Sequence, residues 1–523
     1  MTETNVELLI GLMVVAFPLV ALARRVHVSY PIVLVLGGLA LGFVPGLPQV
    51  QLDPNLVLLI FLPPLLYWEA VTAPTDVMLA NPGQIGMLAI GLVFATTAIV
   101  WVVMHAVVPG MPWAVAFVLG AVVAPTDELA SAPVLERLKM PRHLIAIVEG
   151  ESLVNDALSL VLYAAAITAV VTGVVRVWHI VGFLFAAAIG AFVLGLVVGR
   201  IAVEGWRRVT DTQLQGVISL LLPFLAYAPA QRLGISGVLS VVTAGVYVNR
   251  FTPTVLTPSS RLQLIGFWET FVFIANALLF LLVGLQLHTI AANVFAHDSW
   301  PVVLWYALVV NAVVIVVRLA WFLGTEYMPV IGGSSEHPDG DWRHALIASW
   351  SGLRGAVSLA AALAIPLTTA AGAAFPHRDL IIFLTFSVIF VTLVGGGLTL
   401  PGLIAVLHVA EDDPEEAEDL RRALSEIARA ALSRVDELAR DDRIDAAHAT
   451  ALRKRYEHER LLSAKATGEG VPEAEQQHWD AEREVIDAQR RALIALRARG
   501  EIDNAILRRV LVSLDLAERR LQH

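Results

Sequence analysis

The chain has 523 residues, 57% of them hydrophobic and only 16% charged, and its mean hydropathy of +0.71 excludes an ordinary soluble protein, in which about a quarter of residues are charged. The absence of cysteine excludes disulfides, thiolate metal sites and cysteine nucleophiles, and a net charge of −10 leaves no basic surface for nucleic acid. Charge is also unevenly spread, with 36 charged residues in 1–410 and 46 in 411–523, so a membrane part is joined to a water-soluble tail.

A bilayer span needs about 20 mostly apolar residues. Thirteen segments qualify, near 6–23, 28–46, 53–72, 84–107, 113–136, 143–171, 178–202, 212–231, 235–250, 263–287, 300–323, 344–370 and 379–408. Glu3 and Glu7 precede the first run and no small-residue cleavage site follows it, so it reads as a permanent span and not a signal peptide. With the N-terminus outside, Arg24, Arg25, Arg137, Lys139, Arg142, Arg200, Arg207, Arg208, Arg250, Arg261 and Arg343 fall on the inner side. Only Arg176, Arg232 and Arg378 fall outside. Positive charge concentrates in cytoplasmic loops, so the expected topology is N-terminus out and tail in. The tail, from about Glu411, alternates acids and bases at helical spacing in Leu420–Arg440 and Ala481–Arg499, interrupted at Gly468–Pro472. It reads as solvated cytoplasmic helices, with a regulatory or dimer-stabilising role left open. It holds no phosphate loop, zinc spacing or calcium loop.

Ionisable residues inside spans are expensive and mark function by default. The fifth span carries Asp127 and Glu128 in AVVAPTDELASAP. The sixth carries Glu149, Glu151 and Asp156 in VEGESLVNDALSLVLY. Glu69, Glu269, Arg318 and Arg354 lie in the third, tenth, eleventh and twelfth. Pro125 removes a backbone donor and disfavours helix at Ala124, and Pro133 repeats the insult, leaving Thr126, Asp127 and Ser131 between two breaks. The bland alternative is a proline kink with Asp127 capping the second half-helix. In the twelfth span, SWSGLRGAVSLAAALAIP sets Gly352, Arg354 and Gly355 in mid-membrane. Two interrupted helices in corresponding halves point to an inverted-repeat transporter whose site lies where the breaks cross. Ser152, Asn155 and Asp156 share one helix face. At about 1.5 Å per residue, Asp127 and Asp156 each lie roughly 20 Å from a helix end, near mid-membrane. Glu151 and Arg318 reach comparable depth, so an ion pair between them is geometrically reasonable.

Five strings occur in order: FLPPLLYWEA, GAVVAPTDE, GESLVNDALSLVLY, FWETFVFIANALLFLLVGLQL and SGLRGAVSLAAAL. Together they resemble the cation–proton antiporter family, which contains bacterial sodium/proton antiporters and animal sodium/proton exchangers. The resemblance spans residues 1 to about 408. It implies an all-α polytopic fold of inverted repeats with two crossed broken helices, followed by a helical tail over 409–523. A core (84–171 and 300–408) would move like an elevator against a dimerisation domain (6–72 and 178–287), and the protein would be a homodimer in the plasma membrane. The family's ion site maps onto Thr126, Asp127, Ser152, Asn155 and Asp156, with Glu151 nearby through a water. Its structural ion pair maps onto Glu151 and Arg318, and its twelfth-span arginine onto Arg354. Pro125, Gly352 and Gly355 support the breaks. Glu69 stands one residue further from the proline pair than the acid expected in some relatives, and is left out of the site.

The expected activity is secondary antiport, not enzymatic catalysis, and no cofactor is expected beyond the carried Na+ and H+. Asp156 and Asp127 would carry the proton, and the oxygens of Thr126, Asp127, Ser152 and Asp156 would hold Na+, since hard ligands suit a hard cation. An Asn-Asp pair implies one proton per cation, by resemblance to electroneutral members. Li+ or K+ as the carried cation stays open. The rival readings are a sodium-coupled organic anion symporter of the same architecture, and a channel or sensor. Glu269 with Asn276 is expected to form an internal polar contact, Glu128 and Glu149 to line a funnel or cap helices. His27, His143 and His344 read as interfacial, and Trp68, Trp101, Trp113 and Trp178 as anchors or packing residues.

Overall fold

The computed structural model describes residues 3–26, 29–44, 59–73, 75, 83, 86–127, 131, 135, 140, 142–173, 177–297, 299–326, 342–407, 409 and 414–466, with isolated positions between 485 and 499. Two compact units divide between Glu411 and Asp412. Among the described residues there is no β-strand, only an isolated bridge between Thr368 and Ala374.

In the first unit the helices are α1 (Glu3–Arg25), α2 (Tyr30–Gly42), α3 (Leu62–Thr72), α4 (Met87–Val107), α5 (Trp113–Val123), α6 (Arg142–Thr172) and α7 (Val177–Arg208). They continue as α8 (Thr212–Arg232), α9 (Gly237–Val255), α10 (Pro258–His297), α11 (Trp300–Glu326), α12 (Trp342–Trp350), α13 (Ala356–Leu363) and α14 (Arg378–Leu407). Seven stretches among the described residues are long and apolar enough to cross a bilayer unaided; they lie in α4, α6, α7, α8, α10, α11 and α14. The fifth and twelfth spans do not qualify for a physical reason. Pro125 ends α5 early, and the 344–370 segment divides into α12 and α13 on either side of Ser351–Gly355.

Two sets of helices pack chiefly among themselves. In one, α2 lies along α10, and α9 contacts α3, α7 and α8; in the other, α4 and α6 flank α5, and α11 contacts α4, α12 and α14. Within the first set, Ser219 of α8 bonds to the Trp268 indole (2.9 Å) and lies 3.2 Å from the Tyr67 hydroxyl, all three buried. Asn249 caps the C-terminal carbonyl of Ala73 at 3.0 Å. Glu269 is exposed on α10 while Asn276 is buried, so the contact expected between them does not form. Hydropathy could not foresee this, because lipid-facing and core-facing sides of a span are both apolar.

The second unit contains α15 (Pro414–Arg440) and α16 (Ala446–Ala466), which pair as a hairpin. Val435, Ala428 and Ala449 are buried, and Arg453 bonds to Asp436 Oδ1 through Nε at 2.9 Å and Nη2 at 2.5 Å. Asp445 caps α16, accepting from the His448 amide at 2.7 Å and pairing with its Nδ1 at 2.8 Å. These His448 contacts, the amide first, hold the Asp445 carboxyl below the usual carboxylate range. Most of Ala481–Arg499, and all of Gly468–Pro472, lie outside the described residues.

Candidate functional site

The two interrupted helices meet backbone to backbone. After α5 ends at Val123, residues 125–127 run without helical bonding, and the Asp127 amide donates to Leu353 O at 2.7 Å, in the unwound stretch between α12 and α13. Breaks of this kind are tolerated in a bilayer only where protein satisfies the freed groups. Here it does so with charge as well as hydrogen bonds.

Each described helix end at the crossing carries the sign of charge that its dipole favours. The Asp127 carboxylate accepts from the Ala356 amide at 2.9 Å, at the N-terminus of α13. Arg354 donates to Val123 O (3.3 Å), at the C-terminus of α5, and to Gly352 O (2.5 Å). Arg318 donates to Ser349 O (2.9 Å) and Ala348 O (3.2 Å), at the C-terminus of α12. Asp127 thus caps the half-helix of the other broken span. Two glycines make room for this. A Cβ at Gly355 would fall on the Asp127 carboxylate, and one at Gly352 on the Arg318 guanidinium.

Residues of α6 close the site from the side. Ser152 Oγ donates to Thr126 O at 2.9 Å, and Asn155 Nδ2 donates to Thr126 Oγ1 at 2.8 Å. Thr126 Oγ1 in turn donates to Glu151 Oε1 at 3.3 Å. Glu151 is 1% exposed and pairs with Arg318, 2% exposed, through bonds of 2.5 and 3.0 Å. Asp156 follows Asn155 on the same helix, buried, with its backbone carbonyl taking the Ser159 hydroxyl at 3.0 Å. Asn155 Oδ1 is buried with no hydrogen-bond partner. Thr126, Asp127, Ser152, Asn155, Glu151 and Pro125 are therefore brought together with Gly352, Gly355, Arg318 and Arg354 around one crossing.

Sequence reasoning left out two contributors. Glu69 is buried on α3, has one carboxylate oxygen without a partner, and lies close enough to Asp127 to feel its charge. Thr392 of α14 accepts the Arg354 amide at 3.2 Å; the available signal was Gly395–Gly396–Gly397, a run that disfavours regular helix just beyond it. Glu149 is half-buried, and Ser131 is buried. Glu128 and Pro133, like His27, Arg137, Lys139 and Arg176, lie outside the described residues.

The arrangement offers clustered hard oxygens and buried acids in a helical membrane body, a donor set for a small alkali cation or a proton. The chain matches a family model described as sodium/hydrogen exchanger, transmembrane, over residues 11–406. It is 35% identical over 512 residues to a Na(+)/H(+) exchanger of Mycobacterium tuberculosis, covering 96% of this chain and 93% of that one. A sodium, potassium, lithium and rubidium/H(+) antiporter of Bacillus subtilis is 33% identical over 392 residues, or 70% of this chain and 56% of the relative. Among solved structures, the sodium proton antiporter of Methanocaldococcus jannaschii at pH 8 shares the fold with a TM-score of 0.61, at 20% identity, covering 78% of this chain and 99% of that one.

Proposed function

The chain belongs to the transmembrane sodium/hydrogen exchanger family, and from that premise we propose that it exchanges Na+ for H+ at the crossing of its two broken helices. The observation that carries this is the convergence on Thr126, whose carbonyl and hydroxyl are gripped by Ser152 and Asn155 beside buried Asp127 and Asp156. Na+ is held by the oxygens of Asp127, Asp156, Ser152 and the Thr126 carbonyl, which keeps a lone pair beyond the one taken by Ser152. Asp156 and Asp127 take the proton when the metal leaves. Asn155 holds α6 to the break, and Glu151 with Arg318 fixes the base of the site. A bare carboxylate is costly in low dielectric, so the site crosses only when a proton or a metal ion neutralises it. Competition for one place is then sufficient for exchange.

The finer architecture belongs to the same proposal: thirteen spans, N-terminus outside, tail in the cytoplasm, in a homodimer of the plasma membrane. The helices of 84–171 and 300–408 form a core that moves like an elevator along those of 6–72 and 178–287. The two packing sets support this division. Exchange is one proton per cation and electroneutral. Breadth of cation choice is favoured by the Bacillus subtilis relative, whose name covers sodium, potassium, lithium and rubidium, so a potassium/proton activity is the second reading.

The test is proton flux in proteoliposomes offered Na+, Li+, K+ and Rb+ in turn, with and without an imposed potential. A moved charge would feel about 2.3 kcal/mol per 100 mV. Saturable exchange abolished by Asp156→Asn in folded protein is expected; conductance without exchange, or normal exchange by that variant, rejects the reading. A clear response to potential rejects the one-to-one stoichiometry.

A further inference from the structure

Unwinding around Leu353 leaves a peptide group that no helix can satisfy. A trans peptide is planar, with its C=O and N–H directed to opposite sides. In the Leu353–Arg354 peptide both ends are taken: Leu353 O accepts the Asp127 amide at 2.7 Å, and Arg354 N–H donates to Thr392 Oγ1 at 3.2 Å. One rigid plane thus spans the gap between the fifth-span break and α14.

Thr392 lies in a turn of α14, Val391–Gly396, that is wound as a π-helix. Its hydroxyl proton goes to Val388 O at 2.8 Å, which leaves the oxygen free to accept from Arg354. Seven residues on, Thr399 repeats the pattern. Its hydroxyl donates to Gly395 O at 2.5 Å, and its oxygen accepts the Trp350 indole N–H at 2.8 Å. Between them Gly396 gives way to Leu353, since a Cβ there would come within 2.5 Å of Leu353 Cδ2. The first amide past Leu353 is tied to this turn, and the last residue of α12 to Thr399 in the α-helical stretch that follows it, whose hydroxyl is anchored back on Gly395 O. π-wound turns are rare and concentrate at functional sites, and the triple glycine makes this winding accessible.

We propose that the π-wound turn of α14 is a brace that fixes the plane of the Leu353–Arg354 peptide and, through it, the backbone position of Asp127. Thr392 is then a positioning residue for cation and proton binding that touches neither ion. The proposal rests on the antiport reading above. Its test compares wild type, Thr392→Val, Thr392→Ser and Thr399→Val in proteoliposomes, reading the apparent Na+ constant, the maximal rate and the pH profile separately. Thr392→Val keeps the volume and loses the acceptor. It is expected to raise the apparent Na+ constant about tenfold, the scale of one buried hydrogen bond, and to displace the pH profile, with a smaller effect on maximal rate. Thr392→Ser keeps the acceptor and is expected to behave as wild type. Thr392→Val with an unchanged Na+ constant and pH profile, or Thr392→Ser as impaired as Thr392→Val, overturns the brace. If Thr392→Val is not recovered folded, Thr399→Val at the exposed edge decides: a shift of the same sign supports the brace and an unchanged constant overturns it. Absence of exchange in wild type would instead reject the antiport reading, before any variant is compared.

Discussion

Replacing Arg318 by methionine removes four bonds in one step: two to Glu151, at 2.5 and 3.0 Å, and those to Ser349 O and Ala348 O, at 2.9 and 3.2 Å. Glu151, itself 1% exposed, is left as a bare charge in the helical interior. Breaking a buried ion pair from one side costs about 3–5 kcal/mol. In Glu151→Gln/Arg318→Met no bare charge remains, so about 2 kcal/mol of that loss is expected to return. Recovery stays incomplete because Ala348 O and Ser349 O lose a charged donor, each such bond being worth about 1.5–3 kcal/mol, and keep only the Ser351 hydroxyl at 2.9 Å and the Gly352 amide at 3.4 Å. The assay is the folded fraction by size-exclusion chromatography after heating detergent-purified protein. Arg318→Met is expected to lower the midpoint by roughly 5–10 °C, with the double variant between it and wild type. If the double variant is no better than Arg318→Met, the damage comes from lost capping and not from the stranded carboxylate. An unchanged midpoint in Arg318→Met would refute the pairing as a structural element.

The two site glycines separate by consequence. Gly355→Ala pushes the Asp127 carboxylate off the Ala356 amide and is expected to reduce the exchange rate at least about tenfold, the worth of a lost cap and a displaced ligand, while the protein stays folded. Gly352→Ala collides with Arg318 instead and is expected to resemble Arg318→Met in thermal stability. Parallel heating and flux measurements distinguish them, and a fully active Gly355→Ala would remove Asp127 from the site. In the tail, the Asp445 carboxyl is depressed by His448. Its cap is therefore fully present above the unfolded Asp value of about 3.9 and is lost as pH falls through the lower native value. Asp445→Ala is accordingly expected to speed amide exchange at the start of α16 at neutral pH, by mass spectrometry, and equal protection in wild type and variant would count against the cap.

The helix breaks were legible because their causes are local. Pro125 deletes a backbone donor wherever it stands, and Gly352 and Gly355 flank an arginine in an otherwise apolar run. Depth was legible too, since helical rise is constant: Glu151 and Arg318 were expected at one level, and their side chains stand within hydrogen-bond distance. Partners set by inter-helix rotation were not legible. That Arg354 would reach Val123 O, or that Asp127 would cap α13, depends on how two helices turn against each other, and apolar faces that could meet lipid or protein equally well do not report it. The same ambiguity hid the outward placement of Glu269. Thr392 was missed for a different reason: a threonine in a hydrophobic helix ordinarily bonds its own backbone, and only the adjoining glycine run marks this one.

Charge balance at the crossing gives Glu69 a definite part. Among the described residues the buried ionisable acids and arginines are Glu69, Asp127, Glu151 and Asp156 against Arg318 and Arg354, so with every group ionised the set is two positive charges short. Stoichiometry depends on which of those charges changes place between the half-cycles, not on the total. Asp127 and Asp156 belong to the helices that pack with α4 and α11, whereas Glu69 is on α3, which packs chiefly against α9. If the helices packed with α4 and α11 move along those packed with α9, Glu69 stays behind, and its charge interacts with Asp127 only where the site docks beside it. Glu69→Gln is therefore expected to weaken apparent Na+ binding, yet to leave the response of exchange to an imposed potential the same as wild type. Had Glu69 carried an ion across, its removal would alter the charge moved per cycle by one, worth about 2.3 kcal/mol per 100 mV, or about 50-fold in the equilibrium ion ratio. Flux in proteoliposomes at 0 and 100 mV tells the two apart. A potential dependence present in Glu69→Gln and absent in wild type would put Glu69 among the transported charges and overturn the division into a moving and a stationary set.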